Sequence, residues 1–280
     1  FTESRPDNEK WELIEGAHPE VRDLFRSMAV RMACGEPEQM SAFLGLSWTP
    51  GLMRPRAPGA PDLQRLFVIV GGTGRFTQIL ASSLPRSPRL QTRVTAVRSQ
   101  HRGVKIETES GVYTADAVVL STPAPISAKI GIDLGTSLRN RLATVHYGSF
   151  ILVGFAFDQP PPFPWDRVYA VQVIEPPFHA SINETWPLQE SGVLVATTIV
   201  KMMLGGRHAQ EMMDNADDAL FEQALNAVRR ISPGLVRKPR SRWIKRWPLG
   251  LPFWTPGQLS RGRLPIDHGA VQLAGDYTDY

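Results

Sequence analysis

Between His18 and Gly35 the apolar residues Val21, Leu24, Phe25, Met28 and Met32 recur every three or four positions, which predicts an amphipathic helix closed by Gly35 and Glu36-Pro37. A second short helix is expected around Glu38 to Leu46, before the loop TPGLMRPRAPGAPD, whose prolines and glycines forbid regular structure. The β-branched run Val68-Ile69-Val70 enters a glycine cluster, Gly71-Gly72-Thr73-Gly74, and leaves it into a helical pattern from Gln78 to Ala81. Beyond that helix the period drops to two. RVTAVRS and VKIETE alternate, His101-Arg102-Gly103 and Ser110-Gly111 turn, and VYTADAVVLSTP runs into an apolar strand, Ala117 to Leu120. A third region, from about residue 136, opens on the strand SFILVGFAF and is broken by QPPPFPW. It continues with strands at VYAVQVI and VLVATTIV. A long helix is expected from Ala209 to Ile231, with Met213, Ala216, Leu220, Ala224 and Val228 in one stripe and Ser232-Pro233-Gly234 as its stop. The tail runs RWIKRWPLGLPFWTPGQ and ends VQLAGDYTDY.

A chain of 280 residues that is 42% hydrophobic can bury a sizeable core, in one large domain or two intertwined ones. The net charge of +4, from 31 basic and 27 acidic residues, is too slight for a nucleic-acid footprint. The basic stretch RKPRSRWIKRW, residues 237–247, interleaves Arg, Lys and Trp as nucleic-acid or membrane faces do. Such alternation is more commonly a strand with one solvated side, so no nucleic-acid partner is expected. Cys34 alone forms no internal disulfide and reads as a small core residue. No apolar run is long enough for a bilayer, and FTESRPDNEKWE is no targeting segment, so a cytoplasmic chain, at most peripheral to a membrane, is expected. The six histidines lie far apart without ligand spacing, and no metal site is predicted.

The cluster GGTGRF raises the question of a dinucleotide fingerprint, because small residues let backbone N–H groups approach a pyrophosphate at a helix N-terminus. The pattern is incomplete. Thr77 stands where the third glycine or alanine belongs, and no acid lies about twenty residues on. One reading keeps it as an NADP site, with Arg93 or Arg98 near a ribose phosphate.

Three stretches, read in order, resemble the flavin-dependent amine oxidase superfamily, which includes protoporphyrinogen oxidases and carotenoid desaturases. They are VIVGGTGRFTQILASSL with RLQTRVTAVRSQHRGVKIETESG, then YTADAVVLSTPAP, then RWPLGLPFWTPGQ with LAGDYT. The resemblance implies an α/β fold: a partial, Rossmann-like FAD-binding domain, residues 67–135 and 246–280, interleaved with an α+β substrate domain, residues 1–66 and 136–245. It also implies FAD as cofactor. The fingerprint of such proteins lies near their N-terminus and is absent here, as is the helix that follows AGDYT, so the chain is expected to be a fragment lacking both ends of its flavin site. Gly71 to Gly74 would then serve close helix-strand packing.

By the same resemblance Val94 lies where backbone groups meet the adenine of FAD; an ordinary strand valine is the plain alternative. Thr122-Pro123 brings the chain past the cofactor, or is common loop chemistry after a strand. Trp247 flanks the flavin, or anchors the interdomain core. Gly275 and Asp276 end a strand where a carboxylate accepts hydrogen bonds from cofactor hydroxyls, with Thr278 capping the next helix; alternatively Asp276 is itself the N-cap. Many amine oxidases carry a lysine where this chain has Leu152, which favours the desaturase and protoporphyrinogen-oxidase branches and a bulky apolar substrate. The implied activity is FAD-dependent dehydrogenation by hydride transfer; a non-catalytic remnant binding an apolar ligand or partner is the alternative.

Overall fold

Two hydrophobic cores, each assembled from stretches far apart in the chain, organise the molecule in a computed structural model that describes residues 9–10, 16–43, 69–159, 168–190, 192 and 196–279. The first core joins Val97, Val104, Leu120, Leu138, Leu142, Leu273 and Tyr277. Strands β1 (Val94–Ser99), β2 (Val104–Thr108) and β3 (Gly111–Ala115) form the expected antiparallel meander, with the turns at 101–103 and 110–111 where the sequence puts them. Strand β4 (Val118–Leu120) pairs in parallel with β11 (Val271–Leu273), which in turn pairs with β10 (Asp267–His268). Two helices without a strong periodic signal, α3 (Ala124–Ile130) and α4 (Thr136–Ala143), pack beside this sheet, and Leu138, Leu142 and Val145 carry the first core past residue 135.

The second core lies beneath one face of a five-stranded sheet, in the order β6-β7-β8-β5-β9. Its strands are β5 (Tyr147–Phe157), β6 (Ala170–Gln172), β7 (Ala180–Asn183), β8 (Thr198–Gly205) and β9 (Ser241–Pro252), with the short helix α5 (Thr185–Glu190) between β7 and β8. Alternation decides which face is buried. Ile151, Val153, Phe155 and Phe157 of β5 and Val200, Met202 and Leu204 of β8 point to one side and are sealed by α7 (Asp217–Ile231) through Phe221, Ala224, Ala227 and Val228. The helix expected over 209–231 is interrupted. A short helix, α6 (Gly206–Glu211), ends before a turn, and α7 starts afresh at Asp217 and Asp218. Acids favour a helix N-terminus, and here Asp217 and Asp218 also pair with Arg246 and Arg242 of β9 at 2.7 and 2.9 Å. The start of α7 is thus tied to the edge strand.

Among the described residues, the other face of the sheet is covered at one end only, where α1 (Pro19–Ala33) crosses it. Cys34, in the left-handed conformation at φ 57°, closes α1 one residue before the glycine expected to do so. Its carbonyl accepts the Gly206 N–H at 2.9 Å, and a Cβ at Gly148 would lie 1.9 Å from that oxygen, so glycine is required there for the helix to seat. Over the second expected helix, the 3-10 turn Pro37–Gln39 is followed by Ala42 and Phe43 in helical conformation; residues 44–46 lie outside those described.

At the end of the β-branched run, Ile69 and Val70 lead into a turn; Val68 lies outside the described residues. Helix α2 (Thr73–Ser83) follows, with Gly71 and Gly72 at φ 91° and 89°, a conformation that explains those two glycines. The expected helix-strand packing is absent among the described residues. A Cβ on Gly72 or Gly74 meets nothing within 4 Å, no residue of α2 is buried, and Phe76, Ile79 and Leu80 are at least half exposed. The strand expected at VLVATTIV appears from Thr198 as β8 and runs on through KMMLG; residues 193–195 lie outside those described. Among the described residues no helix is long and apolar enough to cross a membrane.

Candidate active site

Because β4 and β11 run parallel and in register, Leu120 opposite Leu273, the loops leaving them emerge at one end of the sheet. The carboxyl ends of parallel strands are where open α/β sheets receive ligands. Thr122-Pro123 and Gly275-Asp276 are therefore brought together, although about 150 residues of chain separate them. The Ala274 N–H donates to the Leu120 carbonyl at 3.0 Å, extending the pairing to the edge of the loops.

Beneath these loops lies Tyr277, which the sequence did not single out. It is 1% exposed, and its hydroxyl lies 3.5 Å from both the Ser127 hydroxyl and the Leu120 carbonyl. Ser127 is 2.8 Å from the Thr122 hydroxyl and donates to the Thr122 carbonyl at 3.0 Å. Thr122 is thus turned inward, tying the end of β4 to α3. Pro123 caps α3, and the next N–H, of Ala124, donates to the Tyr147 hydroxyl at 3.1 Å. Burial raises the Tyr277 phenol above its ordinary value, Ser127 opposing and nearby Asp276 adding to the effect. A Cβ at Gly275 would come within 2.5 Å of the Tyr277 ring, so the ring itself demands a glycine at this position.

Asp276 opens the 3-10 turn Asp276–Asp279, is exposed, and makes no side-chain hydrogen bond or ion pair among the described residues. The Thr278 hydroxyl donates back to the Gly275 carbonyl. Val94 sits elsewhere, at the start of β1 and half-buried against the first core, beside an irregularity in the pairing with β2.

Strand β9 touches the turn that holds Asp276. Alternate residues of β9 do different work. Arg242, Ile244 and Arg246 face α7, where Arg242 also stacks over the Phe221 ring at 4.2 Å. Trp243, Lys245 and Trp247 face the open side, because their partners on β5 are Gly154, Leu152 and Phe150. The rings of Phe150 and Trp247 are 5.7 Å apart, and Trp247 keeps 41% exposure. The Trp243 indole lies over Gly154, where a Cβ would approach it to 2.1 Å. The basic stretch is therefore a strand as expected, but neither side is merely solvated.

Across β5, Met203 and Lys201 of β8 pair with Leu152 and Gly154, which puts them on the same open face. Lys201 is bound to Glu184 at 2.6 Å. Leu152 and Trp247, at positions given roles by the resemblance, thus share one surface with side chains that the sequence did not bring forward: Trp243, Lys245, Lys201 and Met203. Their convergence depends on pairing between strands some ninety residues apart. A groove of about 420 Å³ between β6 and α7, lined by Val171, Ile174, Ala227, Arg230 and Ile231, opens on the opposite side of the sheet.

Residues 11–280 match the model of the flavin containing amine oxidoreductases. Solved structures share the fold at low identity. Cyclohexylamine oxidase from Brevibacterium oxydans IH-35A superposes with a TM-score of 0.74 at 15% identity, over 98% of this chain and 63% of that one. Putrescine oxidase bound to putrescine gives 0.70 at 15% identity, over 97% and 64%. A protein assigned as a protoporphyrinogen oxidase from Exiguobacterium sp. 255-15 gives 0.65 at 20%, over 89% and 57%. The chain thus spans about three fifths of the length of these structures. With the match extending over nearly all of its length, the chain belongs to the family of flavin-containing amine oxidoreductases, whose cofactor is a flavin.

Proposed function

We propose that the protein is an FAD-dependent oxidoreductase that dehydrogenates a bulky apolar substrate, and that the open face of the five-stranded sheet receives that substrate. The observation that carries the reading is the composition of this face around Leu152: Phe150, Met203, Trp243 and Trp247 surround it. An apolar side chain at its centre holds no proton and orders no water. It favours an apolar C–H donor over an amine.

The residues at the strand ends fit a dinucleotide flavin. Asp276 is an exposed carboxylate without a partner among the described residues, on a turn locked from below by Tyr277, and such a group is suited to accept hydrogen bonds from cofactor hydroxyls. Val94, Thr122, Pro123, Gly275 and Thr278 act through their backbone or by shaping the loops, since Thr122 and Thr278 spend their hydroxyls on Ser127 and Gly275. Trp247, stacked on Phe150 in the strand that touches the turn of Asp276, forms the aromatic wall between cofactor and substrate. The flavin, when bound, supplies the hydride acceptor. The chain orients the donor carbon and keeps water from it.

Anaerobic mixing of the FAD-loaded full-length protein with candidate donors tests this reading. Putrescine and cyclohexylamine should leave the flavin oxidised, whereas a bulky apolar donor such as protoporphyrinogen should bleach it. Rapid bleaching by either amine would overturn the proposal.

A further inference from the structure

Lys245 stands apart from the other cations of its strand. On the α7 side of β9, Arg242 and Arg246 each meet a carboxylate, Asp218 and Asp217. Lys245 points to the open face, is exposed, and has no carboxylate partner among the described residues. Trp243 and Trp247 lie two residues to either side, about 7 Å along the strand on the same face.

The rest of that face does not neutralise it. Lys201 and Glu184 cancel each other as an ion pair. Arg31, in the last turn of α1, has a buried Nε without a hydrogen-bond partner and no carboxylate among the described residues. Desolvation lowers its pKa, opposed by the neighbouring Tyr169. An apolar surface that carries an uncompensated cation, Lys245, repels a cationic ligand and attracts an anionic one.

We infer that the substrate of this face carries an acidic group attached to its apolar body, and that Lys245 is the specificity residue that receives it. This rests on the reading of the open face as the substrate site. An apolar body lying on Trp243 and Trp247 would shield one side of the ammonium from water, and a charge pair formed there is less screened than one in bulk solvent. An edge-strand lysine also discourages aggregation, but that role makes no distinction between ligands.

Three matched probes separate these possibilities: pyrenebutyrate, pyrenebutanol and pyrenebutylamine, titrated into the FAD-loaded full-length protein and followed by the perturbation of the flavin absorbance, which reports binding beside the cofactor. Pyrenebutyrate should bind about tenfold more tightly than pyrenebutanol, as one charge-assisted contact requires, and pyrenebutylamine more weakly than either. In Lys245→Met the butyrate should fall to the affinity of the alcohol, while the alcohol is unchanged. Equal affinities for all three probes, a preference for the amine, or a butyrate preference that survives in Lys245→Met would each overturn the inference while leaving the apolar site intact. If even pyrenebutanol leaves the flavin spectrum unmoved, the apolar substrate site itself is refuted, and this inference with it.

Discussion

Leu152 on β5 and Lys245 on β9 are cross-strand partners, with both side chains on the open face of the five-stranded sheet. Directly opposed residues have Cβ atoms about 5 Å apart, and like charges in such positions repel. The lysine familiar from amine oxidases at the position of Leu152 would here face a second ammonium. Leu152→Lys should therefore destabilise the protein, and part of the loss, about 0.2–1 kcal/mol, should be recovered when Lys245→Met is added. Urea denaturation of the two single variants and the double variant measures that coupling. Strict additivity would show that the two side chains do not meet.

Gly275 gives a second test, because its glycine is explained by packing against Tyr277. Gly275→Ala brings a methyl group into the ring and should cost about 1–3 kcal/mol, the usual penalty for overpacking a rigid site. The denaturation midpoint should fall with the urea dependence unchanged. If stability is unaltered, the ring is free to move and does not lock the turn that carries Asp276.

A pH dependence follows from His179, which is 7% exposed and packed between α1 and β7. Its Nε2 is buried without a partner, its Nδ1 lies 3.5 Å from the Ser27 hydroxyl, and the His208 ring stands 5.9 Å away, with Glu211 beside His208 at 3.7 Å. Desolvation first and then His208 lower its pKa from 6.5 to about 4, against a smaller opposing effect of a backbone hydrogen bond with Gly205. Between these two values the unfolded chain takes up a proton that the folded chain refuses, so stability falls as pH drops from 6.5 towards 4. The full penalty is about 3 kcal/mol. Urea midpoints of wild type and His179→Gln across this window should diverge, the wild type losing more. Parallel curves would mean that His179 is protonated in the folded state.

The meander β1-β2-β3 was legible because each strand alternates and each turn has its glycine, so local chemistry alone fixes it. Leu152 and Trp247 could be picked out one at a time, through stretches resembling a family, but their sharing of a face rests on the β5–β9 register. No local pattern encodes that. The helix expected over 209–231 failed at Met212–Ala216 because its stripe of apolar residues continues across a break set by distant partners, Arg242 and Arg246. Tyr277 was passed over between Asp276 and Thr278 because an aromatic in a polar, turn-forming stretch reads as exposed; its burial needs Leu120 and Ser127 from the other parallel strand and its helix. Helix α2 follows from its own periodic pattern, but its apolar residues Phe76, Ile79 and Leu80 are exposed, with nothing among the described residues covering them.

On the proposed function, the loops at the ends of β4 and β11 hold FAD, with Asp276 accepting a hydrogen bond from a cofactor hydroxyl. A charge-assisted bond of this kind corresponds to about a tenfold to hundredfold change in affinity. The direct measurement is titration of full-length wild-type and Asp276→Ala apoproteins with FAD, alongside their denaturation without it. FAD binding should be weakened by that factor with apoprotein stability unchanged; equal FAD affinity in the two proteins would show that Asp276 makes no such bond.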